Sequence, residues 1–166
     1  GGNSGSARND VQYAAINTDG TIGSWSSGGT FTNARYGHDA TINNGYLYIM
    51  AGNNSGTYYS DVQVAQIQGG GSLGSWTTLV PFNNPRYGID SFAYNGYLYV
   101  VGGYNGSTYY NDVQYAPFAP NGHIGQWQRT TDFTTARYVH TALAHNGYMY
   151  ILGGNGGSYL NNVYYS

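Results

Sequence analysis

The chain has no cysteine, no lysine and no glutamate among its 166 residues. Without cysteine it has no disulfide, no thiolate metal site and no cysteine nucleophile. Its charges are five Arg and seven Asp, only 7% of the chain, and a net charge of −2 gives no general affinity for nucleic acid. No apolar run approaches the roughly 18 residues of a membrane span, which argues against membrane insertion. No segment carries the 3.6-residue apolar period of a helix. No leader peptide is recognisable either. The chain opens on "GGNSGS" in the middle of a repeat, so a segment cut from something longer, or already processed, is expected.

What is present is aromatic and turn-rich. Twenty Tyr, five Phe and three Trp accompany 27 Gly, and with many Asn, Ser and Thr this is the composition of an all-β protein of short strands. Tyr, Asn, Ser, Thr and Gly in place of Lys and Glu suggest a bacterial protein working outside the cell or at its surface.

Self-similarity is the dominant signal. Asp10, Asp61 and Asp112 each open a "DV" pair at a constant step, and the same step links Trp25, Trp76 and Trp127, then Phe31, Phe82 and Phe133, then Arg35, Arg86 and Arg137. One structural unit of about 51 residues is therefore used three times. Within a unit, four short strands are legible. The first runs from Asp39 to Ile42 and ends at the hairpin signal "NNG"; the second is "YLYIMAG" from Tyr46. A loop "NNSGTYYS" leads to the third, "DVQVAQI" from Asp61, and "QGGGS" precedes the fourth, "LGSWTTLV" from Leu73. Four antiparallel strands repeated at this spacing form a propeller blade, since a lone four-stranded sheet cannot bury both faces. Stacked blades then bury Leu47, Ile49, Val62 and their repeats.

The order "RYGH", "YLYIMAG" or "YLYVVGG", "DVQ" and "GSW" resembles the kelch repeat over essentially the whole chain. The diglycines are Gly1 and Gly2, Gly102 and Gly103, and Gly153 and Gly154, with Ala51 and Gly52 as a departure. The middle copy also departs, with Ile89 where His38 and His140 stand. The resemblance implies a kelch-type β-propeller of about three blades per chain, either a half-propeller or a piece of a larger one. The expected division is a single kelch region over 1–166: a partial blade 1–34, blades 35–85 and 86–136, and a partial blade 137–166. Propellers close with roughly four to eight blades. Self-association is therefore expected, two chains giving six blades being the simplest ring, with "TIGSW" of another copy supplying the missing fourth strand.

Candidate chemistry is thin. His38 and His140 enter the innermost strand, where they either line the channel near Asp39 as metal ligands or donate to backbone carbonyls as packing groups; the second fits better, and no metal or cofactor is expected. The three repeated Asp read as structural hydrogen-bonding groups. Copper-radical oxidases share this kind of blade, but their cofactor needs a Cys crosslinked to a Tyr. The asymmetric polar residues His123, His145, Asp132 and Arg129 scatter over turns and outer strands, which counts against catalysis.

A surface is the better candidate. In the family resembled, the loop entering the first strand and the loop leaving the second share one face, usually the binding face. Here these loops carry Arg35, Tyr36, Arg86, Tyr87, Arg137 and Tyr138, beside Tyr58, Tyr59, Tyr104, Asn105, Tyr109 and Tyr110. Tyr with Asn, Ser and Gly makes an adaptable recognition surface. Six Arg around one opening would favour an anionic ligand; the competing reading pairs each Arg with an Asp and stacks it on its own Tyr, fixing blade to blade. The expected function is a non-catalytic binding or scaffold module that presents these loops to a protein or glycan. The alternatives are a purely structural assembly unit and a sugar-processing enzyme.

Overall fold

The computed structural model describes residues 1–166. The first sheet holds β1 (Gly2–Asn3), β2 (Ala7–Tyr13) and β3 (Ser26–Arg35). Strands β4 (Asp39–Asn43) and β5 (Tyr46–Met50) open the second sheet, the hairpin β6 (Asn53–Asn54) and β7 (Thr57–Tyr58) stands off it, and β8 (Val62–Gln66) and β9 (Thr77–Leu79) complete it. The third sheet is β10 (Asp90–Tyr94), β11 (Tyr97–Tyr104), β12 (Tyr109–Pro117) and β13 (Gln128–Arg129); the fourth is β14 (Thr141–His145), β15 (Tyr148–Leu152) and β16 (Val163–Tyr165). Both complete sheets are antiparallel meanders in one register. Met50 faces Val62 across β5 and β8 as Val101 faces Val113 across β11 and β12. These are propeller-type blades, two of them complete and flanked by two partial ones.

The fourth strand begins later than "LGSW" suggests. Leu73 pairs only with Ile67, in an isolated bridge, and continuous pairing starts at Thr77. Trp76 is thus free to leave the blade and pack edge-on against Phe31 of the preceding sheet, with ring centres 6.0 Å apart. Trp127 does the same on Phe82 at 5.9 Å and donates its indole N–H to the Val80 carbonyl at 3.0 Å.

Both faces of the third sheet are buried because it is sandwiched between the second and the fourth. Tyr48, Met50, Val62 and Val64 of the second sheet pack on Leu98, Val100 and Ala116 of the third. The opposite face of the third, through Val101 and Val113, packs on Ala142 and Ile151 of the fourth. Ile49 and Val62 are buried as expected, whereas Leu47 is half-buried.

Polar bonds tie the blades together along the first strands. Gly88 donates its N–H to the Gly37 carbonyl at 2.8 Å, and Val139 repeats that bond to Gly88 at 2.7 Å. The Asp39 carboxylate accepts from the Ser91 amide and hydroxyl, and Asp90 accepts from the Ala142 amide at 2.7 Å. Burial raises both carboxyl pKa values, Asp90 to about 6.

Candidate functional site

The three repeated Arg do not reach a surface. Arg35, Arg86 and Arg137 are each 0% exposed. Each turns back from the loop between blades into the end of its own blade, donating Nε to the carbonyl two residues earlier: Asn33 for Arg35, Asn84 for Arg86 and Thr135 for Arg137. Arg35 forks onto Asp61, with Nη1 at 2.7 Å and Nη2 at 2.8 Å, and also donates to the Ala51 and Thr32 carbonyls. Arg86 makes the same set with Asp112, Gly102 and Asn83. Tyr59 lies over the Arg35 guanidinium at 4.2 Å and Tyr110 over that of Arg86 at 3.7 Å. A Gln two residues after each Asp closes the network: Gln63 donates to Asp61 at 2.7 Å and Gln114 to Asp112 at 2.7 Å. Every donor of Arg35 and Arg86 is satisfied, the condition under which a buried charge is tolerable. A ring of Arg favouring an anionic ligand is thereby corrected. The guanidinium fork matches a carboxylate inside the blade, and that pairing holds the charge away from solvent.

The third copy is built differently. Its loop is one residue shorter, so Asn162 stands where Asp61 and Asp112 stand, and Tyr164 stands where the Gln does. Arg137 donates to the Gly153 carbonyl at 2.6 Å and to Asn162 Oδ1 at 3.0 Å, while its Nη2 has no partner. Burial lowers its pKa from the ordinary arginine value.

His38 and His140 do not donate to backbone carbonyls. Each ring lies beside a Phe, Phe31 at 5.7 Å and Phe133 at 6.1 Å. Nδ1 of His38 and both ring nitrogens of His140 are buried without a partner. Burial holds both pKa values down at about 4. Ile89 fills the same place in the middle copy, within the apolar core. No three His or Asp side chains converge in a way that would hold a metal ion.

The tyrosines divide into two sets. Tyr59 and Tyr110 are spent on the guanidinium groups. Tyr36, Tyr58, Tyr87, Tyr104, Tyr109 and Tyr138 form one continuous half-buried cluster on the loop face. Tyr87 is its hub, with ring centres 6.2 Å from Tyr36, 5.8 Å from Tyr58, 6.1 Å from Tyr104 and 5.5 Å from Tyr138. Tyr104 stacks on Tyr109 at 4.4 Å. The repeat brings Tyr36, Tyr87 and Tyr138 together because each pairs its backbone with the loop that leaves its own second strand, at Asn53, Tyr104 and Asn155. The residue after the first two is glycine with positive φ. A Cβ on Gly37 would stand 2.8 Å from the Tyr87 ring, so its absence is what lets adjacent tyrosines meet.

Asn105 supports the cluster from behind. Its Oδ1 accepts from the Ser107 and Thr108 amides, and its Nδ2 donates to the Tyr110 hydroxyl at 2.8 Å. The Tyr87 hydroxyl is pushed up to about 12 by burial first, and then by Tyr138, Tyr58 and Tyr36. At neutral pH the hub is therefore an uncharged hydrogen-bond donor. Sequence reasoning found all six tyrosines but could not separate them from Tyr59 and Tyr110; the signal that does so is adjacency to the "DV" that anchors each Arg.

Comparison with known proteins agrees with this architecture. The model of the KLHDC2/KLHL20/DRC7 Kelch-repeats domain matches residues 1–166. Kelch-like protein 15 of Danio rerio is 27% identical over 124 residues, which is 66% of this chain and 19% of the relative. The solved structure of YjhT superposes with a TM-score of 0.67 at 19% identity, covering 84% of this chain and 45% of that one. The chain thus spans about a fifth of the curated relative it matches and under half of the structural neighbour.

Proposed function

The chain belongs to the kelch-repeat family, and on that premise we propose that it is a non-catalytic binding module whose six-tyrosine face holds a protein or glycan ligand. The observation that carries this reading is the continuity of the cluster: six half-buried rings from two adjacent loops and three blade entrances, in mutual contact around Tyr87. Ring faces suit apolar side chains or the C–H faces of sugars, and un-ionised hydroxyls donate hydrogen bonds. With Arg35, Arg86 and Arg137 turned inward, the face suits a ligand recognised by shape and hydrogen bonding more than by charge. A non-catalytic role is supported by where the perturbed groups sit. His38 and His140 pack beside Phe31 and Phe133, and Asp39 and Asp90 bind the first strand of the next blade. The absence of Lys and Glu supports placing the module outside a bacterial cell.

The test is a glycan array and a peptide library screened with the native chain, Tyr87→Ala, Tyr104→Ala and Tyr97→Ala. Tyr97 is exposed at the far end of the strand that carries Tyr104. Hits from the native chain that weaken at least tenfold in the first two variants, and are retained by the third, support the reading. Binding equally weakened by all three variants, or insensitive to all, removes the tyrosine face as the site.

A further inference from the structure

The seam between the first and second sheets is open at its outer end, where the seam between the second and third is filled. In the filled seam Val80 packs against the core together with Trp127, and its carbonyl accepts the indole N–H. One repeat earlier, Gly28 and Gly29 stand in the places of Leu79 and Val80. Trp76 keeps its edge on Phe31, but its indole N–H is buried without a partner. A Cβ on Gly29 would meet nothing within 4 Å, so the side chain that is missing there leaves open space. The result is a depression of about 600 Å³ with Trp76 in its wall and Thr30, Gln68 and Ser75 around it.

A second change opens the loop end of the same seam. Asn9 and Asn111 precede the repeated Asp in their copies, and their Nδ2 atoms donate to the Phe31 and Phe133 carbonyls, both at 2.8 Å. Ser60 holds that place in the second blade and is too short to make the bond. There the Asp61 side chain is 22% exposed, against 6% for Asp112. Asp61 and the buried Gln63 line a depression of about 350 Å³, walled by Tyr58, Pro81 and Pro85. Thr32 lines both depressions, so the two are continuous along the seam.

We propose that this groove binds a short neutral oligosaccharide, at a site of its own beside the tyrosine hub. An aromatic side chain stands at each end, Tyr58 at the loop end and Trp76 at the outer end, with the hydroxyl and amide groups of Thr32, Asn33, Gln68 and Ser75 along it. A sugar chain offers the matching surface, C–H faces for the rings and hydroxyls for the polar groups. Asp61 is the one charged side chain in the lining, and the buried Arg35 balances it, so neither an anionic nor a cationic ligand is favoured. Its oxygens accept two bonds from Arg35 and one from Gln63. A carboxylate has about four acceptor positions, so one is left for a sugar hydroxyl. The mostly polar walls disfavour a peptide anchored by apolar side chains. Tyr58 also touches Tyr87, yet the groove does not depend on what the tyrosine face binds.

The experiment titrates neutral trisaccharides of glucose, mannose, xylose and N-acetylglucosamine into the isotope-labelled native chain, Ser60→Asn, Trp76→Phe and Tyr87→Ala. The indole N–H signals of the three Trp are followed by NMR, with Trp76→Phe identifying the signal it removes. In the native chain at least one trisaccharide is expected to shift the Trp76 signal and to leave those of Trp25 and Trp127 in place. Ser60→Asn restores the side chain that the first and third copies carry, so the blade still folds while the loop end of the groove fills. It is expected to weaken binding about tenfold. Tyr87→Ala strikes the tyrosine face and is expected to weaken binding less than Ser60→Asn does. A Trp76 signal that no trisaccharide moves overturns the proposal, and so does binding that Ser60→Asn leaves intact. A larger loss in Tyr87→Ala than in Ser60→Asn also overturns it, because the sugar would then sit on the tyrosine face.

Discussion

Arg86 and Arg137 occupy the same place in consecutive blades, equally buried, yet one sits in a completed network and the other does not. Around Arg86, Asp112 supplies the countercharge, Gln114 ties that carboxylate to the Asn83 carbonyl, and Tyr110 lies over the guanidinium. Around Arg137, an amide oxygen replaces the carboxylate and Tyr164 stands 5.1 Å from the guanidinium carbon. The difference shows that burial of this Arg is fixed by backbone geometry. The carbonyls at residues 84 and 135, and at 102 and 153, hold the side chain in place whether or not a carboxylate is present. The carboxylate decides what that burial costs.

The contrast is broken most strongly by removing the carboxylate that is there. Asp112→Ala leaves a buried charge uncompensated and is expected to cost about 3–5 kcal/mol, whereas Asn162→Ala costs only about 1 kcal/mol. Urea midpoints of the two variants measure the gap, and equal losses would show that both boxes rest on backbone carbonyls alone.

Next in size is the same comparison read from the Arg. Arg86→Met strands Asp112 and is expected to lower stability by about 3 kcal/mol, while Arg137→Met strands no charge and changes it by about 1 kcal/mol or less in either direction.

The histidines sharpen the comparison through pH. With folded pKa values of about 4 against 6.5 for free imidazole, His38 and His140 have no effect above pH 6.5, where folded and unfolded states are both neutral. From pH 6.5 down to about 4 the unfolded chain takes up protons that the folded chain refuses, so these two residues lower stability as pH falls. Asp90, raised from 3.8 to about 6, acts in the opposite direction between those values, because there the folded state holds the extra proton. Replacing His140 by the Ile of the middle copy removes one acid-sensitive group and two unpartnered nitrogens. Its thermal midpoint is expected to rise by an amount equivalent to about 1–2 kcal/mol, with a gain that is larger at pH 5 than at pH 7.

The smallest effect is at Val139, which holds φ 46° where the other two copies have Gly37 and Gly88. A β-branched residue is strained in that region. Val139→Gly is expected to gain about 0.5–1 kcal/mol, and Gly88→Val, which would meet the Tyr138 ring 3.0 Å from its Cβ, to lose more. Thermal denaturation of the pair reads the asymmetry directly.

Much of the blade was legible because its signals are local and repeated. Turn residues at "NNG", alternation in "YLYIM" and the constant step from Asp10 to Asp61 to Asp112 place the strands to within a few residues. The exception is instructive. "LGSW" carries strand-like composition, but Trp76 gains more by reaching Phe31 of the neighbouring blade than by continuing a ladder, and no pattern within one repeat records a contact made with the preceding one.

The site was legible only in part, for the same reason. Arg35 and Tyr36 are adjacent in sequence, yet one is enclosed by its own blade and the other meets Tyr87 of the next. A strand reveals its faces by a period of two, but a loop has no period, so its inward and outward residues look alike. Likewise the change from Asp112 to Asn162 reads as conservative until the buried guanidinium beside it is seen.

The sequence by itself therefore determined the unit, its strand order and the recurrence of one aromatic and one basic residue at each blade entrance, because these follow from turn chemistry and periodicity along the chain. Tertiary structure alone decided which of those residues is mortar and which is surface. That choice depends on what each side chain meets in space, Asp61 of its own blade for Arg35 and Tyr87 of the next blade for Tyr36, and distance through space is not written in the order of the residues.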